Sequence, residues 1–251
     1  MTMHFENPVG MENFLQELEQ MKKQKDAYSR FGVPLPDFCI SMDAGDGRTS
    51  LVRHYAKFLR RNEMCEFSGR EPFLEFVLDG SVEQMKKVFK AIREEEGTKN
   101  DFQGVLAIDA MKLAGHMDED IVTDFIDAVR EIRKHASVIL FSPRICSRNE
   151  NRFLEAVYDA VGHMKIVYIP PYPMEDLVMI MKSRLEERGI ALEEGIEEVL
   201  QALISNHKIC TAKEVSEFAV NLIPCADYTH FIPRLGKECL TEMICEMEMR
   251  V

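Results

Sequence analysis

The chain has 251 residues, 46% hydrophobic and 29% charged, enough for one medium domain or two small ones around a sizeable core. Its formal charge of −12 and pI of about 5.1 argue against a nucleic-acid or anionic-membrane surface, because phosphate binding rests on clustered Lys and Arg. Seven cysteines without a C-x-x-C pair read as small buried hydrophobes in a reducing compartment, and with no leader or membrane-length apolar run the expected location is the cytoplasm.

Taken in order, a turn at Glu6–Met11 leads into a helix reaching Lys23. Phe14, Leu15, Leu18 and Met21 recur on it at helical spacing, and Asn13 or the turn before it is expected to cap it. The run Phe31-Gly-Val-Pro-Leu-Pro36 breaks regularity, since each Pro fixes φ and pushes the preceding residue extended. The stretch from Asp37 to Ser50 then reads as a strand, a glycine loop and the start of a helix running through Leu51–Leu59. Further strands are expected at Phe73–Leu78, Gly104–Asp109, Ala136–Phe141 and Lys165–Ile169. Helices are expected between them, from Val82 to Glu95, from Asp118 through Ile132, and near Asn151–Val161.

Such alternation implies a parallel sheet covered on both faces, with ligands beyond the C-terminal ends of the strands. The 43–49 loop, Asp109 and Ser142 all fall there. After Pro170-Pro-Tyr-Pro173 only helices are expected, at about 175–188, 194–205, 212–222 and 234–247. The reading is a helical lead-in over residues 1–33, an α/β domain over 34–172 and a small all-helical domain over 173–251.

The glycine loop carries the chemistry. Against G-x-x-x-x-G-K-[ST], the phosphate-binding loop pattern, Met42 stands where the first glycine belongs and Arg48 where lysine belongs; Gly47 and Thr49 are in place. Backbone donors at Gly45, Asp46 and Gly47 suit an anion at a helix N-terminus, but Asp43 and Asp46 oppose a polyphosphate. Arg48 keeps the lysine's charge with a planar fork of different reach. Taken alone, such a loop is equally well a plain strand–helix turn. The histidines have no metal-like spacing, and the methionines suit adaptable packing.

The order and spacing of these segments resemble the AAA+ ATPases, a P-loop α/β domain followed by a helical lid. Within them the chain is most similar to the CbxX/CfqX group, which holds red-type rubisco activase and the sporulation stage V protein K-like ATPases. Glu6-Asn-Pro-Val-Gly-Met11 resembles that group's lead-in, and Gly45 through Arg61 its "GTGKTTVARLLAKILRE" stretch. Gly104-Val-Leu-Ala-Ile-Asp-Ala110 stands for "GVLFIDEA". Phe153-Leu-Glu155 and Ile169 to Leu177 resemble the link into the lid, and Thr211-Ala-Lys-Glu-Val215 stands for "NAR-x-V".

The resemblance implies ATP or ADP with Mg²⁺ as cofactor. Gly45, Asp46, Gly47, Arg48, Thr49 and Ser50 would meet the phosphates, with Ser142 as sensor 1 and Lys213 as sensor 2. Thr49 and Asp109, the Walker B aspartate, would hold the metal. The family's water-activating glutamate is Ala110 here, which has no proton acceptor, and Glu94-Glu-Glu96 reads as a solvated helix end. The arginine-finger region holds Val161, Gly162 and His163, with Arg144, Arg148 and Arg152 lying earlier. The pore-loop segment between Leu78 and Val82 is too short to thread a substrate.

Three readings follow. The chain is an ATP-binding scaffold or regulatory module with little or no hydrolysis, an active ATPase remodelling protein partners, or a fold relic whose surface alone works. Protein partners are expected, and neither nucleic acid nor membrane; homo-oligomerisation is left open, the finger region without arginine argues against an active hexamer, and no catalytic residue is assigned.

Overall fold

A computed structural model of the chain describes residues 9–64, 73–78, 104–109, 119–133, 136–162 and 164–241. Several expectations lie outside those residues: the helix Val82–Glu95, the short pore segment, Ala110, His163 and the end of the last helix. The described residues form two compact units, one within Met11–Ala44 and Arg48–Pro170, the other within Met1–Gly10, Gly45–Gly47 and Pro171–Val251.

The first unit is built on five strands: β1 (Phe38–Ser41), β2 (Phe73–Val77), β3 (Gly104–Asp109), β4 (Ala136–Ser142) and β5 (Lys165–Tyr168). They form one parallel sheet in the order β2-β3-β4-β1-β5. Its helices are α1 (Glu12–Lys23), α2 (Lys25–Phe31), α3 (Arg48–Arg61), α4 (Glu119–Ile132) and α5 (Arg148–Val161).

The apolar strand runs arise because both faces are covered, and the two-residue period of a strand deals their side chains to opposite cores. Cys39, Leu106, Ile108, Val138 and Leu140 pack with Phe125 and Val129 of α4 and Phe153 and Val157 of α5. Phe38, Ile40, Val105, Ala107, Ile139 and Phe141 pack with Phe14 and Leu18 of α1 and Leu51 and Tyr55 of α3. At the centre of that second core Phe14, Phe38 and Tyr55 meet edge to face, with ring centroids 5.4 to 5.8 Å apart. The Tyr55 hydroxyl is satisfied by Ser137 Oγ at 3.1 Å, and Ser137 donates to the Pro36 carbonyl at 2.6 Å.

Asp37, just before β1, is buried; its carboxylate accepts from the Val138 amide at 2.8 Å and from Arg133 Nε at 2.7 Å. Burial pushes this carboxyl above the usual range, against the pull of the Val138 amide and the Arg133 guanidinium.

Of the two expected caps, the turn before Asn13 provides the one observed: Met11 is the N-cap of α1, without a side-chain cap bond, and Asn13 Nδ2 donates to the Tyr168 carbonyl at 2.8 Å. Residues 25–31, unassigned from sequence, form α2, which has no buried residue and therefore no apolar periodicity to reveal it.

The second unit holds α6 (Met174–Glu186), α7 (Glu197–Asn206) and α8 (Ala212–Leu222) around Leu177, Met181, Leu200, Leu203, Val215 and Leu222. It is helical with one addition. Two-residue strands β6 (Ala191–Leu192) and β7 (Arg234–Leu235) pair in parallel. The expected helix from Arg234 therefore begins only at Lys237. Among the described residues no helix is long and apolar enough to cross a membrane.

Candidate functional site

The parallel register brings Asp109, Phe141 and Ile40 into one row near the C-terminal edge of the sheet, with Ser142 opposite Ser41 one step beyond. The chain leaves β1 at that edge, and Met42, fully buried, donates its amide to the Ser142 carbonyl at 2.9 Å. Helix α3 starts at Arg48.

The Arg48 side chain turns back onto the sheet. One guanidinium nitrogen pairs with the Asp109 carboxylate, and the other donates to the Met42 carbonyl at 2.7 Å. Its central carbon stacks 5.1 Å from the centre of the Phe141 ring, and its Nε is buried without a hydrogen-bond acceptor. The cation at the lysine position is thus held by a carboxylate, a carbonyl and an aromatic face of the protein itself. Thr49, exposed on the first turn of α3, donates from its hydroxyl to Glu75 of β2 at 2.8 Å. Arg48 and Asp109 therefore bond each other, and Thr49 bonds a neighbouring carboxylate.

Asp43 is engaged too. Its carboxylate accepts from the Arg144 amide at 3.1 Å and the Arg144 guanidinium at 2.8 Å. Burial raises this carboxyl, but the Arg144 amide and guanidinium, with Arg48 adding charge, outweigh it and hold it below the usual range. Arg144 also donates to the carbonyls of Ile169 at 2.7 Å and Pro170 at 3.0 Å, which fixes it within its own unit. Arg148 and Arg152 lie exposed on α5, whose N-terminus Ser147 and Glu150 close with a capping box. Ser142 is buried, and Cys39 Sγ donates to its Oγ at 4.0 Å. Ser50 is exposed on α3.

Residues 45–47 belong to the second unit. Gly45 and Gly47 have φ of 97° and 88°, the left-handed region that a side chain resists. A Cβ on Gly45 would also come within 3.4 Å of Lys213 and Thr211. The Lys213 amide donates to the Gly45 carbonyl at 2.9 Å, and the Tyr172 hydroxyl donates to the Asp46 carbonyl at 2.8 Å. Asp46 itself is buried. The Lys213 ammonium is largely exposed and lies 3.8 Å from Glu217, one turn on.

Lys213 is placed by the Thr211–Glu214 capping box that starts α8, in which the Cys210 amide and the Thr211 hydroxyl hold the Glu214 carboxyl below its usual range. Thr211→Ala removes one half of that box and is expected to cost about 1 kcal/mol, read as a lower urea midpoint at unchanged slope.

Three partners escaped the sequence reading: Glu75, the Met42 carbonyl and the internal bonding of Arg144. Only the register of β2 on β3, with Val77 opposite Asp109, tells that Glu75 shares the neighbourhood. Among the described residues no group of three or more His, Cys, Asp or Glu is arranged to hold a metal.

No protein-family model matches the sequence, and no curated protein matches it. Among solved structures, the chain is similar to a point mutant of Thermotoga maritima RuvB, with a TM-score of 0.61 and 14% identity over 96% of this chain and 71% of that one. It is similar to the T. maritima RuvB Holliday junction branch migration motor, with a TM-score of 0.57 and 12% identity over 97% of this chain and 73% of that one. It is also similar to Aeropyrum pernix Orc1 in complex with DNA, with a TM-score of 0.58 and 16% identity over 97% of this chain and 66% of that one. These likenesses are of fold: the parallel five-strand sheet with flanking helices is that of the AAA+ ATPases.

Proposed function

We propose that this chain is an AAA+-type module without hydrolysis that serves protein partners as a scaffold or regulatory subunit. The observation that supports it best is the Arg48 clamp on Asp109 and the Met42 carbonyl. ATP or ADP with Mg²⁺ is the ligand the loop would meet, its phosphates at Gly45, Asp46, Gly47 and Ser50 and its metal at Thr49 and Asp109. The residues fit that ligand poorly as they stand. Its arrival requires Arg48 to release Asp109 and Thr49 to release Glu75, beside the further negative charge of Asp43. With Ala110 in place of the glutamate, no side chain at that position accepts the proton of an attacking water. Lys213 and Ser142 stand as sensor positions only through the family resemblance, and the order of motifs supports a likeness to the CbxX/CfqX group. The DNA in the Orc1 structure belongs to that protein; here the charge of −12 favours protein partners over nucleic acid.

Calorimetry with ATP and Mg²⁺ is expected to give a dissociation constant of about 0.1 mM or weaker, with no phosphate release. Light scattering is expected to show no change of mass on adding ATP, since Arg144 is bonded within its own unit. Steady turnover abolished by Asp109→Ala, or assembly of a hexamer on ATP, would overturn the proposal in favour of an active ATPase.

A further inference from the structure

Cys225 ends the 3₁₀ turn Ile223–Cys225 that follows α8, and Cys239 lies in the helix that starts at Lys237. Cys239 Sγ donates to the Cys225 carbonyl at 2.9 Å, so the second sulfur rests against the backbone that carries the first. Both thiols are free and half-buried. The segment between them returns on itself without their help. Asp227 and Arg234 exchange backbone hydrogen bonds of 2.7 and 3.1 Å, and Arg234 and Leu235 are paired with β6. The other described cysteines donate elsewhere than to the backbone of a second cysteine. Cys39 is buried in β1, Cys146 donates to the Pro143 carbonyl at 3.5 Å, and Cys210 donates to the Lys208 carbonyl at 3.3 Å.

We propose that Cys225 and Cys239 form an oxidation site, closed to an intramolecular disulfide by a small disulfide such as oxidised glutathione. One thiol gives up its proton and attacks a glutathione sulfur, expelling one glutathione thiolate. The other thiol then loses its proton and attacks the protein sulfur of that mixed disulfide, expelling the second glutathione. The protein loses two electrons and two protons, and oxidised glutathione is reduced to two glutathione molecules. Burial, with Cys239 beside it, pushes the Cys225 thiol above its usual range, which suits it to the second step rather than the first. The bond ties the 3₁₀ turn to the helix from Lys237 and closes the loop that exposes Tyr228, Phe231 and Ile232.

The test is to incubate the folded full chain with oxidised glutathione, quench with acid, unfold it and alkylate the remaining thiols. The expected product has two fewer alkylated thiols than the seven of the reduced chain, and one linked peptide pair containing Cys225 and Cys239. It unfolds at a higher temperature than the reduced chain, because the unfolded ensemble is constrained, and reductant reverses the shift. Cys225→Ser is expected to stop at a glutathione adduct on Cys239, and circular dichroism of that variant confirms that it is folded. All seven thiols still alkylated, glutathione adducts that never resolve in the wild-type chain, or a link between other cysteines would overturn the proposal.

Discussion

Arg48→Lys is expected to tighten the binding of ATP with Mg²⁺ at least about tenfold, equivalent to about 1.4 kcal/mol, and to release no phosphate. Arg48 is held by two arms of one planar fork, one on Asp109 and one on the Met42 carbonyl, with its face on Phe141. An ammonium is a compact point charge with rotatable donors and cannot make that set of contacts at once. The substitution therefore weakens the competing internal contacts and frees a cation for phosphate, and it leaves Thr49 and Asp109, the proposed metal positions, unchanged. On the proposed reading no turnover is expected in either protein, because both carry Ala110 and a positioned base contributes about 10²–10⁴ in rate. Calorimetry on both proteins reads the change. Equal, undetectable binding in the two would show a fold that has left nucleotide behind, and equally tight binding would show that the clamp never competed with the ligand.

The parts of this picture that were legible in the sequence are those set by local pattern. The apolar runs Gly104–Asp109 and Ala136–Phe141 read as doubly covered strands because both faces are in fact buried, and β4 extends only one residue further, to Ser142. The loop was legible from Gly45, Gly47 and the helix after it, and both glycines have the left-handed φ that gives them their purpose. What the pattern could not carry was neighbourhood. The strand order β2-β3-β4-β1-β5 depends on crossovers, to which periodicity is blind. Glu75 reads as one polar residue in an apolar strand until the register sets β2 beside β3. Arg234-Leu235 sits among residues spaced like a helix, yet pairs with Ala191-Leu192, because a two-residue strand is too short to show a period. The Met42 carbonyl is invisible to any reading of side chains, since a backbone acceptor carries no residue signature.

Asp109→Ala is expected to destabilise the chain by about 2–4 kcal/mol, the largest loss among the site substitutions. Removing one partner of a buried ion pair costs about 3–5 kcal/mol because the other charge is left in a poorly solvated place. The loss falls toward the lower end because the two side chains keep 13% and 21% of their exposure, which lets water reach part of the abandoned charge. Arg48→Met instead removes the cation from over Phe141 and leaves its carboxylate at the more exposed of the two positions, so a smaller loss is expected. Combining the two is expected to cost less than the sum, with a coupling of about 1–3 kcal/mol in the double-mutant cycle. The chain has no Trp, so urea unfolding is best followed by far-ultraviolet circular dichroism. The same variant bears on function. Once Asp109 is gone, a triphosphate can supply the anion that Arg48 lacks, and the proposed metal position goes with it. ATP without Mg²⁺ should therefore raise the unfolding temperature of Asp109→Ala more than that of the wild-type chain. Additive losses in the cycle would show that Arg48 and Asp109 meet without mutual stabilisation. An ATP shift no larger than wild type would show that the clamp is not what keeps phosphate out.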